Sequence, residues 1–211
     1  MMDENNIFHC RCRKCGFEED VEKHSSVNAV SEPAARLGIL DGSLMRWTCP
    51  SCGDTVYLEY PLLYHDPRLR FMVWLLPSGE CAPEIREYGK KLAVLLPDYR
   101  CRKVDNILRL AEKIQIFEQG ASDVAVELSE LVFRQESGLS GNIFCHGLRF
   151  EDGTCREFRI SVVKPGGEHE YYSVSPNIYT DCSAIVERNP DMQPGPGFVT
   201  VDYKWIASKL N

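Results

Sequence analysis

Apolar residues fall along this chain in short blocks whose spacing changes from segment to segment. The clearest block lies in the middle. Ile107, Leu108, Leu110, Ala111, Ile114 and Phe117 recur at helical spacing and form one broad stripe. That pattern predicts a helix over about residues 105–119, capped by Asp105 and stopped at Gly120. A second helix is expected over about residues 122–135, with Ser122 as its cap and Val124, Leu128, Leu131 and Val132 facing inward. Asp123 in its first turn suits the helix dipole. A link this short makes the pair a helical hairpin.

Before the hairpin the pattern is shorter in period. Phe17 to Val30 holds strand-compatible stretches, ending at Val27–Val30. Ser31 is expected to cap a short helix opened by Glu32 and Pro33 and closed by Asp41-Gly42. Leu44–Thr48 and Thr55–Tyr60 are expected strands, the second from its alternation and its β-branched and aromatic content. Pro61 to Pro67 is expected as a turn, and Phe71–Leu76 as a return strand ended by Pro77-Ser78-Gly79. Pro83–Lys91 is expected as a short helix and Arg100–Val104 as a strand.

Beyond the hairpin, the small and polar run Ser137–Asn142 is the best candidate boundary on the chain. Ile143–Glu151 and Thr154–Val163 flank Asp152-Gly153, a strong signal for a type I′ hairpin. Two-residue register then pairs Cys145 with Ile160 and Phe150 with Cys155, which would put Cys145 and Cys155 on opposite faces. A strand at Glu170–Val174, a helix from Ser175-Pro176 to about Arg188, a strand at Phe198–Val201 and a helix capped by Asp202 complete the pattern. The expected class is α+β: an N-terminal zinc-ribbon-like β region, the helical hairpin, and a C-terminal antiparallel α+β unit. The division expected is residues 1–136 and 141–211, the second unit packed on the first or folding by itself.

Composition changes this picture little. Apolar residues make up 44% and charged residues 26%, enough for an ordinary globular core. The net charge of −7 repels phosphate backbones, so nucleic-acid binding would need a local basic patch. Met1 to Ile7 has neither the basic nor the apolar region of a secretory signal, and no apolar run is long enough to span a bilayer. A cytoplasmic protein is expected.

The cysteines change it more. Without an export signal, ten cysteines are read as thiols or metal ligands before disulfides. Cys10, Cys81, Cys101, Cys145, Cys155 and Cys182 are scattered, as small buried hydrophobes are. The other four form two knuckles, Cys12-Arg13-Lys14-Cys15-Gly16 and Cys49-Pro50-Ser51-Cys52-Gly53. Two intervening residues let a tight turn bring both sulfurs to one metal. Glycine after the second cysteine permits positive φ, which aims backbone N–H groups at the sulfurs. Cys12, Cys15, Cys49 and Cys52 are therefore the expected ligands of a structural Zn2+ ion. Its shell would be closed, which disfavours catalysis at the metal. Cys10 is the alternate to Cys12, and His9 a weaker one. Thioredoxin-like redox chemistry is disfavoured, because neither pair opens a helix in a βαβ unit.

These knuckles, with Tyr60-Pro61-Leu62-Leu63-Tyr64-His65-Asp66, Phe71-Met72-Val73-Trp74-Leu75-Leu76-Pro77 and Ile114-Gln115-Ile116-Phe117-Glu118-Gln119-Gly120, resemble the CpXC domain of bacteria and archaea. The resemblance covers about residues 8–135. It implies a four-cysteine zinc-binding domain and lends no activity. Arg13 stands where the family name expects proline, which would leave the first turn looser.

Tyr64, His65 and Asp66 are the other candidate functional residues. Either His65 and Asp66 act as an acid/base pair, or their side chains bond backbone groups and hold the turn. Arg11, Arg13 and Lys14 ring the first knuckle, yet Glu18, Glu19, Asp20 and Glu22 follow at once. The expected function is a zinc-stabilised, non-enzymatic binding or adaptor protein with a protein partner. The alternatives are a nucleic-acid-associated zinc ribbon and an enzyme using His65 and Asp66 in a cleft.

Overall fold

The computed structural model describes residues 6–77 and 83–210. Cys81 and the Ser78-Gly79 turn lie outside the described residues, as does the start of the chain at Met1. Two antiparallel hairpins carry the knuckles: β1 (Ile7–Arg11) with β2 (Glu18–Glu22), and β4 (Arg46–Thr48) with β5 (Thr55–Tyr57). Between them in sequence come β3 (Ser26–Asn28), α1 (Pro33–Leu40) and a 3-10 turn at Ser43–Met45.

The body of the protein is α+β. A mixed sheet has the order β3-β6-β7-β8, with β6 (Leu62–Asp66), β7 (Phe71–Leu75) and β8 (Arg100–Val104). β6 and β7 are antiparallel, whereas β3 pairs with β6, and β7 with β8, in parallel. Parallel neighbours need a crossover, and α2 (Pro83–Leu95) makes the one from β7 to β8. The antiparallel sheet β11-β10-β9 follows the helices α3 (Ile107–Glu118) and α4 (Asp123–Ser137). It is built from β9 (Asn142–Glu151), β10 (Thr154–Val163) and β11 (His169–Val174). Then come α5 (Pro176–Arg188) and α6 (Tyr203–Lys209). Among the described residues no helix is long and apolar enough to cross a membrane.

α3 occupies the centre. Phe117 packs edge-on against Phe71 of the mixed sheet at 5.1 Å. On the other side, Glu112 accepts a hydrogen bond from the backbone N–H of Cys145 in β9, at 2.6 Å. One hydrophobic core accordingly runs from Val27 to Ile206 and includes residues of both larger sheets.

Several local expectations are corrected. The segment expected as a turn at Pro61–Pro67 is strand β6, because Leu62, Tyr64 and Asp66 all point into the core and the turn itself begins at Pro67. Glu32, not Ser31, precedes the first turn of α1, and Asn106, not Asp105, caps α3. Asn106 is extended, and its Oδ1 accepts from Arg109 N three residues on, at 2.9 Å. Ser122 caps α4 as expected. α2 runs on to Leu95, with Gly89 placed against Trp74 and Phe198. The Phe198–Val201 segment contributes a parallel bridge, Arg102 with Val199, beside β8.

The β9–β10 hairpin turns at Asp152-Gly153 with φ of 51° and 73°, and its register does pair Cys145 with Ile160 and Phe150 with Cys155. Between those pairs, however, one extra residue bulges from each strand: His146 from β9 and Arg156 from β10. Each bulge reverses the alternation of its strand. Cys145 and Cys155 therefore both join the core, not opposite faces as strict alternation implied. They stay apart because three paired positions, Glu157–Arg149, Phe158–Leu148 and Arg159–Gly147, lie between them. Every cysteine among the described residues is a free thiol.

Candidate metal centre

Each knuckle is a hairpin end built in the same way. In the first, the Cys12 N–H donates to the Phe17 carbonyl at 2.8 Å and the Gly16 N–H donates to the Cys12 carbonyl at 2.9 Å. In the second, Cys49 N–H donates to Asp54 at 2.8 Å and Gly53 N–H to Cys49 at 2.9 Å. Gly16 and Gly53 take φ of 76° and 72°, the left-handed region that glycine enters without a Cβ clash. Arg13 in the proline position leaves this hydrogen-bond pattern intact.

The tertiary structure then brings the two ends together. The four sulfurs lie within 4.8 Å of one another. The short distances cross between knuckles: Cys12 Sγ to Cys52 Sγ is 3.6 Å, and Cys15 Sγ to Cys49 Sγ is 3.6 Å. A disulfide would need about 2.0 Å. Four sulfurs bonded at about 2.3 Å to one tetrahedral centre would sit about 3.8 Å apart, so the arrangement suits a thiophilic metal ion.

Beneath the sulfurs lies a small apolar cluster of Cys10, Cys12, Trp47 and Cys49, with Phe8, Val21 and Val56 against it. Trp47 ties the hairpins by donating from Nε1 to Glu19 Oε2 at 3.0 Å. Cys12 and Cys49 are buried and Cys15 is exposed, so the cluster sits at the rim of the molecule. A backbone hydrogen bond at Phe17 is the largest influence on Cys15 and, with the neighbouring thiols, holds it down to about 7. At Cys52 the hydrogen bond at Asp54 lowers the pKa, but desolvation and the other thiols outweigh it and push the group up to about 12. Four thiols in contact cannot ionise independently, and a central dication removes that conflict.

The alternates fall outside this group. Cys10 is buried in the apolar cluster, and burial, then Glu19 and Asp20, raises its thiol. His9 points to solvent and meets Asp20 at 2.7 Å.

His65 and Asp66 are not brought together. As neighbours on β6 they face opposite sides of the sheet. Asp66 is buried, and its Oδ1 accepts from the N–H groups of Arg68 and Leu69 at 2.9 and 3.0 Å, which holds the β6–β7 turn. His65 Nε2 lies 3.3 Å from the Tyr99 hydroxyl, and burial lowers its pKa. Tyr64 stacks on Phe71 and directs its hydroxyl to Glu118. Glu118 itself accepts from two of the three guanidinium nitrogens of Arg36 from α1, Nε and Nη2.

A cluster that the apolar pattern did not reveal lies between α3 and α4. Lys113, Glu112, Asp123, Glu127 and Glu130 are all buried, and Arg102 reaches Asp123 with two hydrogen bonds of 2.7 and 3.0 Å. The one available signal was charge at Glu112, Lys113 and Glu127, which adjoin the apolar stripes of their helices.

Twin cysteine hairpins mounted on an α+β body define a zinc-ribbon-like, four-cysteine protein. The chain belongs to the CpXC protein family, whose model matches residues 10–130, from Cys10 in β1 to Glu130 in α4. No curated protein and no solved structure matches it.

Proposed function

We propose that this is a zinc-stabilised binding or adaptor protein that is not an enzyme, working in a reducing, cytoplasmic setting with a protein as partner. The observation that carries the reading is the packing of the Cys12, Cys15, Cys49 and Cys52 sulfurs within 4.8 Å of one another. All four donors are soft thiolates, a set that favours zinc in a closed tetrahedral shell. Such a shell has no position for a substrate or a reactive water, so the ion acts by holding the β1–β2 and β4–β5 hairpins together. The separation of His65 from Asp66 removes the acid/base pair on which an enzymatic reading would rest.

The electrostatics of the first hairpin favour a protein partner over nucleic acid. Arg11 lies 3.4 Å from Glu18, and Glu18 to Asp20 and Glu22 form the acidic strand beside the knuckle, so carboxylates stand next to its cations.

Metal analysis tests the proposal. Purified wild-type chain is expected to hold about one zinc ion, and cobalt replacing it should show the thiolate charge-transfer absorption of a tetrahedral sulfur site. A metal-free wild-type protein with a native fold would overturn the zinc assignment. Salt-sensitive retention on DNA or RNA would overturn the choice of partner.

A further inference from the structure

The C-terminal sheet has a second face. Ile143, Cys145, Ile160 and Val162 point into the core, so the residues alternating with them point away from it. Phe144, Ser161 and Tyr171 lie side by side there, across β9, β10 and β11, because Ser161 pairs with both of the others. His146, which bulges from β9, meets the Tyr171 ring edge-on at 5.1 Å. His169, two positions before Tyr171, lies over the same ring at 6.3 Å. Leu108, Ala111 and Gln115 recur at helical spacing on α3 and form the opposite wall, with Leu40 at the end of α1. Between the walls is a cavity of about 370 Å³. That volume is within the range of small-molecule sites.

The lining holds one carboxylate, and it is already occupied. Glu112 accepts from Arg109 Nη1 through Oε2 and from the Cys145 N–H through Oε1, both at 2.6 Å. Burial, ahead of the charge of Arg159, holds His146 below its ordinary value of 6.5, so its ring is neutral at neutral pH. What the cavity leaves open is hydrogen bonding. Ser161 is only 7% exposed, yet its hydroxyl has no hydrogen-bond partner among the described residues. The same holds for the carboxamide of Gln115 on the facing wall. A buried hydroxyl is ordinarily paired, so Ser161 marks a place for a polar group that the chain itself does not supply.

We propose that this cavity binds an uncharged aromatic ring bearing a hydrogen-bonding group. The ring lies between the aliphatic side chains of α3 and the Phe144–Tyr171 row, and its polar group reaches Ser161 and Gln115. Rings gain from edge and face contacts with the tyrosine and imidazole that a saturated ring of the same size lacks. An ion would give up its hydration here without meeting a free opposite charge. The site shares no residue with the cysteine cluster, so it stands or falls separately from the zinc assignment.

Titration of the isotope-labelled, zinc-loaded full chain with benzamide tests this, with cyclohexanecarboxamide and benzoate as comparisons. Benzamide should shift the amides of Phe144, His146, Ser161 and Tyr171 saturably and bind about threefold or more tightly than either comparison compound. Ser161→Ala removes only the hydroxyl; it should keep the folded spectrum and bind benzamide about fivefold more weakly. Ala111→Leu narrows the cavity from the helix side and should also keep the folded spectrum while losing the benzamide shifts. The proposal is overturned by any of three results: no saturable shift at those amides, as for a cavity that holds water alone; a comparison compound bound as tightly as benzamide; or unchanged affinity in either variant.

Discussion

Lys113 on α3 and Glu127 on α4 meet at 2.8 Å in the interior, with side chains only 1% and 2% exposed. Asp123 lies 3.5 Å from the same ammonium group, and Arg109 lies 3.6 Å from Glu127. The helical hairpin is thus joined by a charge network as well as by apolar contact. Such a network holds one antiparallel register of α3 on α4, since shifting either helix would leave a buried charge alone.

Removing one member should show this. Lys113→Ala leaves Glu127 and Asp123 without their shared cation, and a loss of about 3–5 kcal/mol is expected. Replacing both partners, as Lys113→Met with Glu127→Leu, should cost less than Lys113→Ala alone, because no charge is stranded between them. Urea titrations of the two variants make the comparison.

Glu130 sets an acid-side dependence. Burial, ahead of the charge of Glu112, raises it well above its ordinary value of 4.5, and its Oε1 has no hydrogen-bond partner. A carboxyl raised in the folded state favours folding fully below its unfolded value, and that contribution is lost as pH rises through the folded value. Glu130→Gln should therefore flatten the decline in stability above about pH 4.5 and match or exceed the wild type near neutrality. Denaturant midpoints measured from acid to neutral pH check both the slope and its sign.

The ligand set makes a sharp contrast between two buried cysteines, Cys10 and Cys49, of one small cluster. Cys10→Ala should retain the full metal content, because Cys10 packs in the apolar cluster under the site. Cys49→Ser should lose the metal and with it the pairing of the two hairpins, since zinc binding contributes folding free energy directly. Metal analysis with circular dichroism of both variants would reveal an exchange of roles as a zinc loss in Cys10→Ala.

Asp66 is predicted to matter for stability. Asp66→Ala removes the buried side chain that accepts from the Arg68 and Leu69 N–H groups and holds the β6–β7 turn, and should cost about 1–2 kcal/mol, while Asp66→Asn keeps the Oδ1 acceptor and should cost less. His65→Ala loses a contact to one hydroxyl and should be milder still. Thermal melts of the three variants test the ranking, and an Asp66→Ala protein as stable as wild type would contradict it.

Local chemistry was legible from residue order. The knuckles, the α4 cap at Ser122, the Asp152-Gly153 turn and the two central helices each depend on residues within a few positions of one another. What fails is equally specific. Asn106 displaces Asp105 as a cap because its extended backbone aims its oxygen at the amide three residues on. The faces of Cys145 and Cys155 are misjudged because two compensating bulges leave the paired residues unchanged while reversing the alternation between them.

By itself the order of residues determined the α+β class and the four cysteines that can share an ion, because both follow from spacing along the backbone, and it carries the motifs that resemble the CpXC family. Only the tertiary structure decided which sulfurs face one another, that α3 lies between two sheets, and that Lys113 is interior. It alone put Leu108 and Tyr171, far apart in the chain, at one cavity. Those outcomes depend on parallel strand pairing and on burial of charge against charge, which are contacts between distant segments and leave no periodic trace in either segment.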